Sequence, residues 1–205
     1  TKIIAIIGPT GVGKTGIGMS LAQELETEII SCDSMQIYRN LDIGTGKPTK
    51  EQQSQIHHHL IDIVNPDENY DASEYRNHAK EIIQGFLKDG KIPLLVGGTG
   101  FYLRALVDGL FDQPKVAKEF REKTMSKWTG FSSLLIHQEL TKVDPDAAQK
   151  IHPNDRKRIL RALEVFEYLG TPISKLHQEH QMEESPYEPI LIGLDLAREE
   201  LYNRI

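Results

Sequence analysis

The sequence predicts an α/β fold, in which helices cover both faces of a parallel sheet, with an inserted, mainly helical subdomain. Short apolar runs alternate with helical patterns through the first hundred residues, an order typical of βαβ units. A glycine-rich loop joins the first apolar run to the first helical pattern. From about residue 115 to residue 170 the pattern is mainly helical, before an apolar strand returns.

The predicted core alternates strands with helices, as expected for a sheet whose ligands lie at the carboxyl ends of its strands. Asp71 and Glu74 have the spacing of a capping box and predict where the second helix begins. We predict strands at Ile3–Ile7, Glu28–Cys32, Leu60–Val64 and Ile92–Val96, and helices at Lys14–Leu25 and Ala72–Leu87.

The subdomain is predicted from four helical segments that follow the core. Helices are expected at Lys115–Lys127, Leu134–Lys142, Asp146–Ile151 and Asp155–Leu169, and the returning strand at Pro189–Leu194. The expected domains are therefore a core over residues 1–112, a helical insertion over 113–188 and a return to the core over 189–205.

Composition narrows the classes of protein. The chain has 205 residues, 39% of them hydrophobic, enough to bury a core. Its single cysteine, Cys32, excludes an intrachain disulfide and agrees with a reducing, cytoplasmic setting. No segment approaches a membrane span, and no secretory signal is apparent. The net charge of -6 argues against a surface that binds nucleic acid throughout.

The loop after the first strand is a complete phosphate-binding motif, G-x-x-x-x-G-K-[ST], and makes the predicted core P-loop NTPase-like. Glycines let the backbone approach phosphate oxygens, the lysine reaches the outer phosphates, and the threonine hydroxyl suits Mg²⁺. A glycine-rich turn without a ligand is the weaker alternative, because strand, loop and helix all agree. The expected diphosphate-binding residues are Gly8, Pro9, Thr10, Gly11, Val12, Gly13, Lys14 and Thr15.

Asp33 follows the second strand and is expected at the same edge of the sheet as the phosphate loop. A carboxylate there can accept a proton from a nucleophile or orient a water on Mg²⁺. The alternative is a turn-capping aspartate. We favour the functional role, because polar Ser34 and Gln36 are also expected at the mouth of the site.

The apolar strand before Thr99 ends in Gly97 and Gly98, where many hydrolytic P-loop proteins carry an aspartate for Mg²⁺. Backbone can therefore approach a ligand there, and Thr99 offers a hydroxyl near the phosphates. Tyr38 and Tyr102 are equally compatible with the pocket and with core packing.

A basic helix face is predicted in the acidic chain. Lys157, Arg158 and Arg161 share one face of the helix after Asp155, opposite Ile159, Leu163 and Phe166. This face is either a solvated helix surface, partly neutralised by Glu164 and Glu167, or a surface that contacts the phosphate backbone of a nucleic acid. The sequence does not decide between these two interpretations.

The run His57-His58-His59 raises the question of a zinc site with Cys32. We disfavour it, because adjacent histidines do not easily converge on one tetrahedral ion and no paired cysteines accompany them.

Together these residues resemble the tRNA dimethylallyltransferase family, also called isopentenyl-diphosphate:tRNA transferases. The resemblance spans nearly the whole chain, and it is specific because three further blocks follow the phosphate loop in order. The matching blocks are Gly8–Thr15, Asp33–Tyr38 with Asp42–Pro48, Leu94–Tyr102, and His152–Asp155 through Arg161–Val165.

The resemblance implies the chemistry. The ligand would be dimethylallyl diphosphate with Mg²⁺ on Thr15, and the acceptor the exocyclic amine of the adenosine 3′ of the tRNA anticodon. Asp33 would be the general base and Thr99 a second catalytic residue; a monomer without membrane contact is expected. The implied tRNA contacts are Asp33, Ser34, Met35, Gln36, Thr99, Lys157, Arg158, Ile159, Leu160 and Arg161.

Two rival functions remain. A small-molecule kinase would hold ATP in the phosphate loop, use Asp33 as base toward a hydroxyl and place Arg156–Arg161 as a lid. A P-loop switch or binding module is the non-enzymatic alternative, which the missing strand-end aspartate weakens.

The connection around Gln113-Pro114-Lys115 looks shorter than is usual in the family.

Overall fold

The computed structural model describes residues 1–109, 116–180 and 185–204. The chain divides into two compact units, one formed by Thr1–Gly109 with Ser185–Ile205 and the other by Leu110–Glu184. The first unit contains the sheet, and the second is helical in its described part.

The first unit is built on five parallel strands in the order β3-β2-β4-β1-β5. Residue Ile7 is paired with Gly97, and Ser31 with Val96, so three strands end at one edge of the sheet. The predicted parallel sheet is therefore confirmed. The strands are β1 (Lys2–Ile7), β2 (Ile29–Ser31), β3 (His58–His59), β4 (Leu94–Gly97) and β5 (Glu188–Gly193).

Ten helices are seen in the described residues: α1 (Lys14–Glu24), α2 (Lys50–Gln55), α3 (Ala72–Lys88), α4 (Gly100–Val107), α5 (Lys118–Lys127), α6 (Ser133–Val143), α7 (Pro145–Lys150), α8 (Arg156–Leu169), α9 (Ile173–His180) and α10 (Arg198–Arg204). None of them is long and apolar enough to cross a membrane.

The core under α1 fixes the strand that carries the phosphate loop. Met19 and Ala22 of α1 pack against apolar side chains of β1, β2 and β4. The Asp71 carboxylate caps α3 by accepting hydrogen bonds from the backbone N–H groups of Ser73 and Glu74. The Glu74 carboxylate in turn accepts a hydrogen bond from the Asp71 N–H. The predicted capping box is confirmed.

The strand predicted at Leu60–Val64 is wrong. Leu60 and Asp62 have positive φ values of 61° and 56°, which break an extended strand. The edge strand is instead the histidine pair His58–His59, and Val64 forms only an isolated bridge to Tyr38. Leu60 is buried, and Ile61, Ile63 and Val64 are half-buried, so the apolar run resembles a strand in the sequence although the backbone does not form one.

The helical unit has its own hydrophobic core. Asp155 caps α8 by accepting from the Arg158 N–H, and Gly170 ends it with φ 70°. Three of the four helices predicted for this unit agree with the structure within about two residues. The helix predicted at Lys115–Lys127 begins at Lys118, and Lys115 lies outside the described residues. Helices α2, α9 and α10 were not predicted. The buried core residues are Ile136, Leu140, Ala147, Ala148, Ile159, Ala162, Leu163, Val165 and Ile173.

Candidate active site

The phosphate loop leads from β1 into α1. Gly11 and Gly13 have φ values of 84° and 100°, a left-handed conformation that glycine adopts freely. No side chain caps the start of α1, so its first N–H groups are available to an anion. Lys14 Nζ donates to the carbonyls of Gly8 and Pro9, each at 2.8 Å. These contacts hold the ammonium over the loop.

Strand order brings three loops together, because β4 lies between β2 and β1. A methyl group added at Gly98, after β4, would lie 3.7 Å from Asp33 Oδ2 and 3.7 Å from Lys14 Nζ. It would also lie 3.4 Å from the Gly8 carbonyl. The predicted base, the predicted phosphate-binding lysine and the phosphate loop therefore border one small space beside Gly98.

Asp33 is held in a defined orientation. Its Oδ1 accepts from the Met35 N–H at 2.9 Å, so Oδ2 is the oxygen that borders the space beside Gly98. Partial burial lowers the pKa of the Lys14 ammonium, and the Asp33 carboxylate opposes that shift. The turn-capping and functional interpretations of Asp33 are thus compatible, since each oxygen serves a different purpose.

Gly97 has a different constraint from Gly98. A Cβ on Gly97 would lie 2.0 Å from the Cys32 carbonyl oxygen. That oxygen also accepts from the Thr99 N–H at 3.0 Å, which draws the two loops together. Burial raises the pKa of the Cys32 thiol to about 12, which leaves it protonated near neutral pH.

Thr99 joins the loop after β4 to the loop after β2. Its Oγ1 accepts from the Ser34 N–H at 2.9 Å and donates to Ser34 Oγ at 3.2 Å. The hydroxyl that the sequence assigned to the reacting groups is therefore engaged with the neighbour of Asp33.

Gln36 is fixed at both ends of its side chain. Ser31 Oγ donates to Gln36 Oε1 at 3.0 Å, and Gln36 Nε2 donates to the carbonyls of Gly46 at 3.0 Å and Thr45 at 3.4 Å. Met35 beside it is 47% exposed. The segment expected to recognise a base thus presents one fixed polar and one exposed apolar side chain.

Lys47 anchors the same region and was missed by sequence reasoning, which quoted it only within a matching block. Its side chain is 3% exposed, and Nζ lies 2.8 Å from Asp42 and 2.8 Å from Asp62. It also donates to the Tyr38 carbonyl at 2.9 Å. Burial raises the pKa of Asp62, but hydrogen bonds from Lys47 and Lys50 outweigh this and leave that pKa lowered.

A shallow cleft, open to solvent, lies beside the loop. Tyr102 does not contribute to it as a pocket residue: it is buried and stacks on Tyr75, with ring centroids 4.3 Å apart. Core packing is therefore the correct alternative for Tyr102, whereas Tyr38 is half-buried. The cleft is lined by Lys14, Thr15, Ile29, Ser31, Gln36, Pro48, His58, Val96 and Gly97.

The basic run of the helical unit separates into two groups. Lys157 and Arg158 are exposed, and Arg158 makes a 3.4 Å ion pair with Asp155. Arg156 instead donates to the carbonyls of Trp128 and Phe131, each at 2.7 Å, in the turn that follows α5. Only part of the run is therefore a solvent-facing cationic surface.

Arg161 belongs to the inward-facing group. Its Nη1 lies 2.6 Å from Glu164 Oε1, and the Glu164 side chain is 7% exposed. Ile159 is fully buried and Leu160 packs against the core, so their side chains are structural. Glu164 was expected to neutralise part of the exposed basic face of α8, but its carboxylate is buried and pairs with Arg161.

The chain is similar to proteins of one known family. The family model described as IPP transferase matches residues 36–205. A tRNA dimethylallyltransferase of Thermoanaerobacter sp. (strain X514) is 46% identical over 207 residues, which cover 100% of this chain and 66% of the relative. tRNA dimethylallyltransferase 1 of Trichlorobacter lovleyi is 47% identical, with 100% and 67% covered. The chain thus spans about two thirds of the length of these curated relatives.

Solved structures of transferases that act on tRNA are similar to this chain as well. The full-length tRNA isopentenylpyrophosphate transferase of Bacillus halodurans is 38% identical with a TM-score of 0.63, covering 99% of this chain and 63% of that one. A eukaryotic dimethylallyltransferase, captured acting on tRNA, is 32% identical with a TM-score of 0.84, covering 100% of this chain and 50% of that one. The chain therefore belongs to the IPP transferase family, whose curated members matched here are tRNA dimethylallyltransferases.

Proposed function

We propose that this chain carries the catalytic centre of an enzyme that transfers a dimethylallyl group from dimethylallyl diphosphate to tRNA. The acceptor is the exocyclic amine of the adenosine 3′ of the anticodon, and pyrophosphate is released. The observation that carries the proposal is the space beside Gly98, bordered by Asp33 Oδ2 and Lys14 Nζ. Family membership supports the choice of substrates, and the carboxylate beside the lysine supports the proposed roles of Asp33 as base and of the loop as phosphate cradle.

The phosphate loop holds the leaving group in this proposal. Backbone N–H groups at the start of α1 and the Lys14 ammonium stabilise the negative charge that develops on pyrophosphate as the bond between the allylic carbon and oxygen breaks. The lysine is already held over the loop by two carbonyls, so little reorganisation is needed when the diphosphate binds.

Asp33 is the proposed general base. The amine nitrogen attacks the allylic carbon, a carbon–nitrogen bond forms, and Asp33 Oδ2 takes the amine proton. Its Oδ1 is held by the Met35 N–H, which keeps the other oxygen toward the reacting atoms.

A divalent metal, Mg²⁺ in our proposal, fits the donor set at the loop. The Thr15 hydroxyl is a hard oxygen donor beside Lys14 in the cleft, and Mg²⁺ is ordinarily bound by one or two such groups together with water and phosphate oxygens. When bound, it would neutralise charge on the leaving diphosphate.

The tRNA contacts are proposed on two segments. Ser34, Met35 and Gln36 follow Asp33 and would receive the base, whose unstacking costs a few kcal/mol that pocket contacts must offset. Lys157 and Arg158 of α8 would contact the phosphate backbone. The division into a core over residues 1–112, a tRNA-contacting insertion over 113–188 and a return over 189–205 belongs to the same proposal, as does a cytoplasmic monomer.

The test is an incorporation assay. The purified protein, Mg²⁺ and unmodified tRNA are incubated with radiolabelled dimethylallyl diphosphate, and γ-labelled ATP with candidate small acceptors is run in parallel. Label entering tRNA from the prenyl donor is the expected result. Label passing from ATP to a small acceptor, with none entering tRNA, would support the kinase instead.

Two variants separate binding from chemistry. Asp33→Asn keeps the acceptor for the Met35 N–H but removes the base, so prenyl transfer should fall by about 10²-fold or more with the diphosphate Kd nearly unchanged. Lys14→Ala should raise that Kd by about tenfold or more, equivalent to about 1.4 kcal/mol. Full activity of Asp33→Asn would remove Asp33 from the mechanism, and an unchanged Kd in Lys14→Ala would refute the cradle.

A further inference from the structure

A cluster of metal-ligating side chains lies at the other end of β2 from Asp33. One ligand atom from each of Glu28, His57 and His59 lies within 4.8 Å of the other two. The β2–β3 register pairs Ile29 with His58, which sets Glu28 beside His57 where the two strands begin. The transferase chemistry proposed above uses none of these three residues.

The strand geometry explains why two of the three adjacent histidines converge. Successive side chains of a strand point to opposite faces, so His57 and His59 share one face while His58 points to the other. His58 lines the cleft beside the phosphate loop. The rings of His57 and His59 lie 4.3 Å apart between centroids, at right angles. Adjacency along the chain is thus no obstacle, because the relevant pair is alternate.

The carboxylate of Glu28 completes the cluster with one oxygen. Its Oε2 lies 2.7 Å from His59 Nε2, while Oε1 is 2.7 Å from Lys91 Nζ. A metal binds the lone pair of an imidazole nitrogen, so an ion on His59 Nε2 would displace any proton shared there with Glu28 Oε2.

We propose that Glu28, His57 and His59 form a binding site for a divalent transition-metal cation of the Zn²⁺ type. Two imidazoles and one carboxylate, with water as fourth ligand, are a donor set that suits Zn²⁺ and disfavours Mg²⁺. The 2.7 Å separation of His59 Nε2 and Glu28 Oε2 would open to roughly 3.3 Å, as tetrahedral ligands about 2.0 Å from a common ion require. Lys91 would stay on Oε1 and orient the carboxylate.

The metal would join β2 to the edge strand. Strand β3 contains only two residues and is paired on one side alone, so its attachment rests on few hydrogen bonds. A cation held by Glu28 before β2 and by His57 and His59 of the β3 segment would cross-link the two. Binding should therefore raise the melting temperature of the protein, because the ion favours the folded state.

The experiment titrates Zn²⁺ alone into metal-free, untagged protein by calorimetry, with the melting temperature as second readout. We expect one equivalent bound and an increase in melting temperature. His57→Ala, an exposed position, should raise the Kd at least tenfold and abolish the thermal shift, and Glu28→Gln should act in the same direction. His78→Ala removes an exposed histidine on α3 and should change neither.

The outcomes are distinguishable from those of the proposed function. Failure to bind one equivalent of Zn²⁺, or binding and thermal shift that survive His57→Ala unchanged, would overturn the metal site. Neither result touches prenyl transfer, which the incorporation assay measures with Mg²⁺. Co²⁺ absorption in the visible range gives an independent check, since loss of the His57 ligand changes the coordination that the spectrum reports.

Discussion

Thr99 and Ser34 are joined by two hydrogen bonds that use both the donor and an acceptor site of one hydroxyl: Thr99 Oγ1 accepts from the Ser34 N–H at 2.9 Å and donates to Ser34 Oγ at 3.2 Å. The pair connects the loops that follow β4 and β2. Since Asp33 directly precedes Ser34, the position of the proposed base depends on Thr99. We therefore propose that Thr99 positions the base.

Replacing Thr99 tests that role. Thr99→Val removes both hydrogen bonds at nearly constant volume and should lower kcat about tenfold or more, since the proposed base loses its alignment. The diphosphate Kd should stay within about twofold, because the phosphate loop is unaltered. Thr99→Ser keeps the hydroxyl and should recover most of the loss, as measured by single-turnover prenyl transfer. Equal activity in Thr99→Val and the parent would show that the link is dispensable.

Gly97, the last residue of β4, and Gly98, which follows it, should respond differently to alanine, although neither has a positive φ. In Gly97→Ala the new Cβ would meet the Cys32 carbonyl oxygen at 2.0 Å, so unfolding free energy should fall by several kcal/mol, about the range of strong backbone clashes. In Gly98→Ala the nearest atoms lie at 3.4–3.7 Å, which is ordinary contact. That variant should fold normally and lose activity, because the methyl occupies the space between Asp33 and Lys14.

Urea unfolding and prenyl-transfer assays on both variants check this contrast. Each variant is the other's control, because the substitution is the same and the sites are adjacent. A stable Gly97→Ala, or a fully active Gly98→Ala, would contradict the geometry of this region.

The exposed cations of α8 should set part of the salt dependence of tRNA binding. Replacing Lys157 and Arg158 together by alanine should reduce the slope of log Kobs against log salt by about one to two, as expected when two phosphate contacts are lost. Lys142 and Lys150 are exposed cations of the same unit, so their double alanine variant controls for net charge. If both pairs change the slope equally, the effect reflects overall charge and no local contact.

Arg156 should behave as a structural residue. Its two hydrogen bonds to carbonyls in the turn after α5 make Arg156→Ala destabilising by about 1–3 kcal/mol, the usual range for hydrogen bonds from a charged group. The salt slope of the folded variant should match the parent. Thermal unfolding and binding titrations measure the two effects separately.

His58 should make stability depend on pH near neutrality. Burial lowers the pKa of its imidazole, and the hydrogen bond with the Ile56 carbonyl opposes that shift without cancelling it. Above pH about 6.5 neither folded nor unfolded protein holds the proton; below it the unfolded chain takes the proton first. The free energy of unfolding should therefore fall between pH 7.5 and 5.5.

Urea midpoints across that pH range provide the measurement. His58→Asn removes the titration and should give a flatter profile than the parent, whereas His78→Asn, at an exposed position on α3, should keep the parent's slope. An unchanged slope in His58→Asn would assign the pH dependence to other groups.

Sequence reasoning predicted the elements that follow from local pattern and failed where long-range contacts decide. The phosphate loop, β1 and the Asp71 cap are local, and they were located within one or two residues. The strand expected at Leu60–Val64 failed because backbone conformation at Leu60 and Asp62 is set by the surrounding fold. Apolar content alone does not reveal a positive φ.

Side-chain pairing was the other limit. A helical wheel puts Arg161 with Lys157 and Arg158, but the wheel does not show that Glu164 is buried beneath it and takes the arginine. Likewise, the Thr99 hydroxyl accepts a hydrogen bond from Ser34, which is 65 residues away in the chain, and no local pattern shows that pairing. Spacing indicates which residues share an edge of the sheet and leaves their partners undetermined.

Lys47 stabilises the loop that orients the Gln36 side chain in the cleft. Its buried ammonium holds Asp42, Asp62 and the Tyr38 carbonyl together, and the loop it braces contains the Gly46 carbonyl that receives Gln36. The Gln36 amide is thus oriented before any ligand arrives, so the entropy of ordering this segment is lost during folding and not during association. If Gln36 receives the base as we propose, a base of the wrong hydrogen-bonding pattern would meet an amide that does not turn to accommodate it, and selectivity would come from rigidity.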